Sequence, residues 1–137
     1  MEETVVDAPP PYESKIVSMA DLPSDTRRGG DLRTVLSPKT CGSSTGFMGV
    51  AKIEPGDYIS EHYHPYSEEF VFLVEGTLTA RIDGEPQRLE AKSGIFIPIN
   101  AKHKFINDSD EDAFMVFHLC PLAPRPHLGH VDTEEHE

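Results

Sequence analysis

The sequence has little basic charge and no long apolar segment. Its 137 residues carry 12 Lys and Arg against 24 Asp and Glu, a formal net charge of -12. A protein of that charge repels phosphate backbones and anionic lipid head groups, so we expect neither nucleic acid nor a membrane surface as a partner. The N-terminus, Met1-Glu2-Glu3, is acidic where a secretory signal is basic and then apolar. We therefore expect a cytoplasmic protein.

Cysteine is also scarce, since only Cys41 and Cys120 are present. Two cysteines are too few for a disulfide framework, and they lack the short spacing of a thiolate metal site. We interpret both as reduced, structural thiols. Glycine-rich nucleotide loops and the serine elbow of hydrolases are missing as well. A chain of this length can fold without a structural metal, so a bound metal would be functional.

Short apolar runs closed by turn residues fill the chain between residues 26 and 121, without a helical stripe. The pattern predicts one all-β domain, a sandwich or small barrel, flanked by an extended arm (1–25) and a proline-rich, acidic tail (122–137). Asp83-Gly84 predicts a hairpin turn, because a type I′ turn needs positive φ at both central positions. The predicted strands are 32–36, 47–53, 58–63, 69–75, 77–82, 87–91, 95–98, 102–106 and 113–119.

Histidines suggest a metal site in this domain. His62 and His64 are two residues apart on one predicted strand, so both imidazoles point to the same face. Glu69 opens the next strand, where its carboxylate can return beside the pair. His103 begins a later strand and is expected to close the site from the opposite side. The histidines expected to be solvent-exposed are those of the tail, His127, His130 and His136.

The position of His118 leaves two sets of ligands open. The strands around His103 and 113–119 are joined by a polar turn and are predicted to form a hairpin. If the numbers of directly paired residues add up to an odd total, His103 and His118 lie on the same face of that hairpin. The metal ligands are then His62, His64 and His103 with either Glu69 or His118 as the fourth. Glu69 and His118 are also the candidate catalytic acid or base groups, and Glu69 becomes a free general base if His118 binds the metal.

These residues stand at the spacing of a known pair of motifs. Gly56, His62, His64, Glu69 and Gly76 match every fixed position of the first cupin motif, and Pro98, His103 and Asn107 match the second. Asn100 and Lys92 stand where that second motif usually has glycine. The chain thus resembles the cupin superfamily, which implies a double-stranded β-helix, or jelly-roll barrel, over about residues 30–120.

Four further stretches are similar to the cupin-type cyclases of bacterial aromatic polyketide pathways. This resemblance implies a metal-dependent, aldol-type cyclisation and aromatisation of a poly-β-ketone made by a type II polyketide synthase. It also implies one divalent metal per chain, zinc first, with iron, nickel, copper or manganese as alternatives. The stretches are Arg27–Arg33, Gly46–Val50, Ser60–Phe70 and Phe117–Pro126.

Two other functions suit the same ligands. One is a cupin dioxygenase, in which a redox metal activates oxygen on an enol or phenol, and the other is a non-catalytic cupin that binds a small ligand. An absolute oxygen requirement would identify the first, and saturable binding without turnover the second. β-rich edges and the proline-containing arms lead us to expect a homodimer.

Overall fold

The computed structural model describes residues 13–137, so the first half of the predicted N-terminal arm lies outside the described residues. The described part contains ten strands, one short helix and two 3₁₀ turns, at Met19–Asp21 and Pro126–Leu128. No helix in it is long and apolar enough to cross a membrane. The other elements are β1 (Asp31–Leu36), α1 (Pro38–Cys41), β2 (Phe47–Ile53), β3 (Tyr58–Tyr63), β4 (Glu68–Glu75), β5 (Thr77–Ile82), β6 (Glu85–Glu90), β7 (Ser93–Ile97), β8 (His103–Ile106), β9 (Ala113–Cys120) and β10 (Val131–Asp132).

The strands form two five-stranded antiparallel sheets. Sheet A has the order β1-β2-β9-β4-β7 and sheet B the order β10-β3-β8-β5-β6. Side chains of both sheets alternate between the barrel interior and its outside, as in β4, where Val71 and Leu73 are buried while Phe70 and Phe72 are exposed. The interior holds an apolar core whose largest fully buried side chain is Phe105, at 1% exposure. The all-β prediction is confirmed, and each predicted strand is present within two residues of its expected ends.

The turn between β5 and β6 forms as its sequence predicts. Asp83 and Gly84 have φ of 49° and 86°, and Ile82 pairs directly with Glu85 across the turn. Positive φ at both residues gives a two-residue hairpin whose twist matches that of the flanking strands. The hairpin predicted here is therefore confirmed.

The hairpin predicted between β8 and β9 is wrong. β8 lies between β3 and β5 in sheet B, whereas β9 lies between β2 and β4 in sheet A. Asn107, fully buried, holds the connection that crosses between the sheets. Its side-chain amide donates to the carbonyls of Ile53 and Glu111, both at 2.8 Å, and its side-chain oxygen accepts from Ser109. The polar stretch that resembles a hairpin turn is thus a sheet-to-sheet crossing fixed by one asparagine.

Candidate metal centre

A bulge in β3 turns the first two histidines into the barrel. On β3, Ile59 pairs with Phe105 of β8, but the next pair is His62 with His103, three residues on against two. The extra residue restores the inward direction that alternation from Ile59 would have denied to His62. His62 and His64 are accordingly buried, at 6% and 8% exposure.

Glu69 and His103 complete a cluster of four buried side chains. Glu69 reaches it from the inner face of β4 in sheet A, and His103 from β8 in sheet B. Glu69 Oε1 lies 2.9 Å from His103 Nε2 and 3.2 Å from His64 Nε2. One ligand atom from each of His62, His64, Glu69 and His103 can be chosen so that all four lie within 4.8 Å of one another.

Hydrogen bonds from each imidazole to a backbone carbonyl set its tautomer. Nδ1 of His62 lies 2.8 Å from the Ser60 carbonyl, and Nδ1 of His103 lies 2.9 Å from the Ala101 carbonyl. Nδ1 of His64 lies 2.8 Å from the Gly129 carbonyl. Because a carbonyl only accepts, each Nδ1 carries a proton, so in the neutral ring Nε2 holds the lone pair. The three rings are therefore oriented as metal-binding histidines are in proteins.

The charge states of the cluster also suit a cation. Burial alone would raise the pKa of the Glu69 carboxyl, but the imidazoles of His103 and His64 beside it hold that pKa well below its usual range. Burial, together with the neighbouring His103 and His130, holds the pKa of His62 well below its usual range. Burial would lower the pKa of His103, but Glu69 beside it raises that pKa. Metal ligands are an ionised carboxylate and neutral imidazoles, so a bound ion would displace a proton from His103.

Two orphaned atoms test whether the residues fit a metal ion. Glu69 Oε1 and His103 Nε2 are both fully buried, and neither has a partner of hydrogen-bond geometry among residues 13–137, despite their short separation. Buried polar atoms are rarely left so, because each costs about 1–3 kcal/mol. A divalent cation would satisfy both at once, and three imidazoles with one carboxylate are donors that zinc accepts.

His118 does not join this cluster. It lies on β9 between Met48 of β2 and Phe70 of β4, on the outer face of sheet A, and it is exposed. The alternative in which His118 is the fourth ligand is therefore wrong, and so is its placement as an acid or base beside the metal. The error follows from the hairpin prediction, since β8 and β9 do not pair. Glu69 is the remaining candidate for the fourth position.

A cavity of about 540 Å³ opens onto the cluster. Its volume lies in the range of pockets that take small organic molecules. Arg27, Arg28 and Asp25 lie among its polar lining residues, where Asp25 binds Arg27 at 2.8 Å. The apolar lining comes from both sheets and consists of Leu32, Phe47, Ile59, Phe105, Met115, Phe117 and Leu119.

The C-terminal tail supplies a site residue that the sequence analysis missed. His130 is half-buried and stacks on His62, with ring centroids 4.2 Å apart and planes 11° apart. Its Nε2 donates to Asp132 Oδ1 at 2.8 Å, and burial lowers the pKa of His130 to about 4. The prediction of solvent-exposed tail histidines is wrong for His130 and for half-buried His136, whereas His127 is exposed. The only available signal was the spacing of His130 and Asp132, two apart as on a strand.

Comparison with known families decides the classification. The family described as "Cupin domain" matches residues 49–119, which include all four residues of the cluster. The chain belongs to the cupin family. The buried cluster of His62, His64, Glu69 and His103 is typical of a cupin metal site.

Relatives of this cupin carry names from polyketide synthesis. It is 57% identical over 120 residues to "Polyketide synthase CurC" of Streptomyces cyaneus, covering 88% of this chain and 78% of the relative. It is 41% identical over 118 residues to "Tetracenomycin polyketide synthase protein TcmJ" of Streptomyces glaucescens, covering 86% and 79%. The solved structure of the polyketide cyclase RemF from Streptomyces resistomycificus has the same fold, with a TM-score of 0.72, 14% identity, and 89% and 87% of the two chains covered.

The two departures of this cupin from the second motif leave its turns intact. Lys92 and Asn100 stand where glycine is usual, and both adopt the left-handed conformation, with φ of 69° and 71°. Asparagine tolerates this region well, whereas lysine adopts it at a cost. The backbone at Asn100, three residues before His103, is thus the one that glycine would allow, and His103 keeps its place in the cluster.

Proposed function

We propose that this protein is a metal-dependent cyclase that closes and aromatises a poly-β-ketone chain by aldol-type condensation. Four metal-binding side chains at an apolar cavity carry the proposal. The names of CurC and TcmJ, relatives across most of the chain, supply the substrate class. We propose His62, His64, His103 and Glu69 as the ligands of one divalent ion per chain, with zinc first because it favours such nitrogen and oxygen donors.

The reaction asks three things of the protein. A proton must leave a methylene between two ketones, that carbon must bond to another ketone carbon of the same chain, and water must be lost as the ring aromatises. A divalent ion in the site would act as a Lewis acid that makes the methylene beside a ketone more acidic. Glu69 lines the cavity as an ionised carboxylate. It would accept the proton only where it is not itself a ligand, and as the fourth ligand its charge would instead help to hold the ion.

In this proposal, the apolar walls of the cavity position the substrate chain and limit the access of water. Phe47 and Phe117, packed edge to face with centroids 6.3 Å apart, and Leu119 form one wall of the cavity. Such a surface holds a flexible chain folded so that its reacting carbons meet, and it limits the access of water to reactive ketones. The shape of this wall would then select which ring closes.

Metal content and turnover test the proposal. Elemental mass spectrometry of untagged protein purified without chelator is expected to find about one zinc per chain. Added to a minimal type II polyketide synthase, the protein is expected to raise the yield of one cyclised product, and His62→Ala to abolish both metal and effect. A product distribution unchanged by the wild-type protein would refute the cyclase. Iron with an absolute oxygen requirement would instead identify the dioxygenase, and ligand binding without turnover the non-catalytic cupin.

We also propose that the protein is a homodimer that pairs through the outer face of sheet A. Phe70, Phe72 and Phe96 are 44%, 44% and 49% exposed there. Phe70 and Phe96 are direct neighbours across β4 and β7, with centroids 5.3 Å apart. Among residues 13–137, β7 is also an edge strand of that sheet, and an apolar patch beside an edge strand is suited to a second copy of itself.

Sedimentation velocity tests the dimer. The wild-type protein is expected to sediment as a dimer at micromolar concentration and Phe70→Ser as a monomer. Ile16→Ser is the matched control, because Ile16 is fully exposed but lies outside the barrel. A monomeric wild type, or a Phe70→Ser variant that remains dimeric, would refute this interface.

A further inference from the structure

The C-terminal segment, residues 129–137, runs along the edge of the barrel that carries two of the cluster histidines. Within it, β10 pairs antiparallel with β3, Val131 opposite Tyr63 and Asp132 opposite His62. This pairing makes β10 the outermost strand on that side of sheet B. The segment thus lies beside the ligands on β3, although 65 residues separate Gly129 from His64 in sequence.

The three imidazoles differ in what orients them. His62 and His103 each bind the carbonyl two residues earlier in the chain, that of Ser60 and that of Ala101. Those partners come with the local backbone. His64 follows the end of β3, and its Nδ1 donates instead to the carbonyl of Gly129 in the C-terminal segment. Of the three rings, His64 therefore depends on a distant part of the chain for its orientation.

The C-terminal segment also covers a second ligand. His130 stacks on the ring of His62, and Asp132 binds both His130, at 2.8 Å, and Arg28, at 2.7 Å. Arg28 in turn accepts the Ser60 amide at its carbonyl, next to the atom that orients His62. The contacts on the two ligands are thus linked through one short stretch of backbone.

Contacts beyond Asp132 hold the segment in place without touching the cluster. Thr133 N–H donates to the Glu61 carbonyl at 3.0 Å. Glu134 accepts the Glu61 amide at 2.8 Å and binds Lys104 at 2.6 Å. His136 lies 3.0 Å from Asp57 and packs against Tyr58, with ring centroids 4.4 Å apart and planes tilted by 36°. These anchors are made by residues that can be changed without altering any ligand.

We propose that the C-terminal segment is a positioning element for the metal centre, which holds His64 in its metal-binding orientation through the Gly129 carbonyl. The inference rests on the proposed metal site. Outer hydrogen-bond partners of metal-binding histidines contribute about 10- to 100-fold to metal affinity. Because several of the contacts that hold this segment lie at residues 133–137, shortening the chain there should weaken metal binding while all four ligands remain.

A chain that ends at Asp132 is the direct test. It keeps Gly129, His130 and β10 but loses the anchors of Thr133, Glu134 and His136. Zinc affinity, measured by competition with a chromophoric chelator, is expected to fall relative to the full chain, with the roughly 10- to 100-fold cost of losing the outer partner as the upper limit. Asp108→Asn is the matched control, since it breaks a surface ion pair with Arg88 on the same sheet, and its zinc affinity is expected to remain that of the wild type.

A second measurement separates positioning from general stability. In the metal-free protein, the Nδ1–H proton of His64 is expected to exchange faster in the shortened chain, by nuclear magnetic resonance, while those of His62 and His103 keep their protection. Equal loss at all three rings, or zinc affinity unchanged by the truncation, would overturn the proposal. If the shortened chain fails to fold, Glu134→Gln decides, and unchanged zinc affinity in it overturns the proposal. A full-length wild type that binds no metal would refute the metal site itself. This outcome is distinct from an effect of the truncation, which is measured only against a full chain that binds zinc.

Discussion

Replacing Glu69 with glutamine tests the fourth ligand with little change in shape. Glu69 is 5% exposed, and its Oε1 lies within 3.2 Å of two imidazole Nε2 atoms. Glutamine fills the same space, so the substitution opens no cavity and mainly removes the negative charge from the donor set. We expect Glu69→Gln to retain the fold and to lose most of the stabilisation that zinc confers.

The size of that loss follows from linkage. Zinc at about 100 times its Kd stabilises the wild-type fold by about 2.7 kcal/mol. A direct ligand should contribute at least the roughly 100-fold at the upper end for outer partners. The same zinc concentration is then near the Kd of the variant and stabilises it by only about 0.4 kcal/mol. At roughly 4 °C per kcal/mol for a domain of this size, zinc raises Tm by about 11 °C in the wild type and by about 2 °C in the variant.

Thermal unfolding with and without zinc, followed by circular dichroism, measures both shifts. Glu68→Gln is the matched control, because Glu68 directly precedes Glu69 on β4, pairs with Cys120 of β9 and is not part of the cluster. The control should keep the full zinc-induced shift. A Glu69→Gln variant that gains as much from zinc as the wild type would refute Glu69 as a ligand.

Two further predictions concern the fold. Asp57 accepts amides of Gly30 and Tyr58 and contacts His136, and these partners lower its pKa against the effect of burial. A carboxyl whose pKa is lowered by folding stabilises the fold above its unfolded pKa of about 4, and this stabilisation is lost as the pH falls. Asp57→Asn should therefore lower the free energy of unfolding in urea by about 1–3 kcal/mol at pH 7 and by much less at pH 3. An equal loss at both pH values would contradict this. Lys92→Gly should stabilise the fold by about 1 kcal/mol, because it removes a lysine from the left-handed conformation. Lys102→Gly is the control, since Lys102 is not in that conformation, and it should not stabilise the fold. A Lys92→Gly variant less stable than the wild type would show that the backbone at Lys92 is not strained.

Local pattern predicted the strands well because alternation and turn chemistry act within a few residues. The ends of β2, β3 and β5 coincide with those predicted from the sequence. The predicted pairing of β8 with β9 was wrong because a local pattern does not show which strands pair. A polar stretch such as Asn107–Asp112 is compatible with a tight turn or with a crossing between sheets. Long-range hydrogen bonds such as that from Asn107 to Ile53 select the crossing.

In the candidate site, too, residue spacing predicted some features and strand pairing decided the others. Spacing placed His62 and His64 on one face, but their direction into the barrel depends on the bulge in β3, which the pairing with β8 creates. The approach of Glu69 to His103 joins strands of different sheets. Nothing near His130 in sequence points to His62, and its place follows from the pairing of β10 with β3.

The sequence by itself determined the β-strand pattern, the ligand types and their motif spacing, because each depends on residues close together in the chain. The tertiary structure alone decided that Glu69 and not His118 meets the three imidazoles, and that the Gly129 carbonyl of the C-terminal segment lies at hydrogen-bond distance from His64. These outcomes depend on which strands pair, and pairing is selected by packing and hydrogen bonds between residues far apart in sequence.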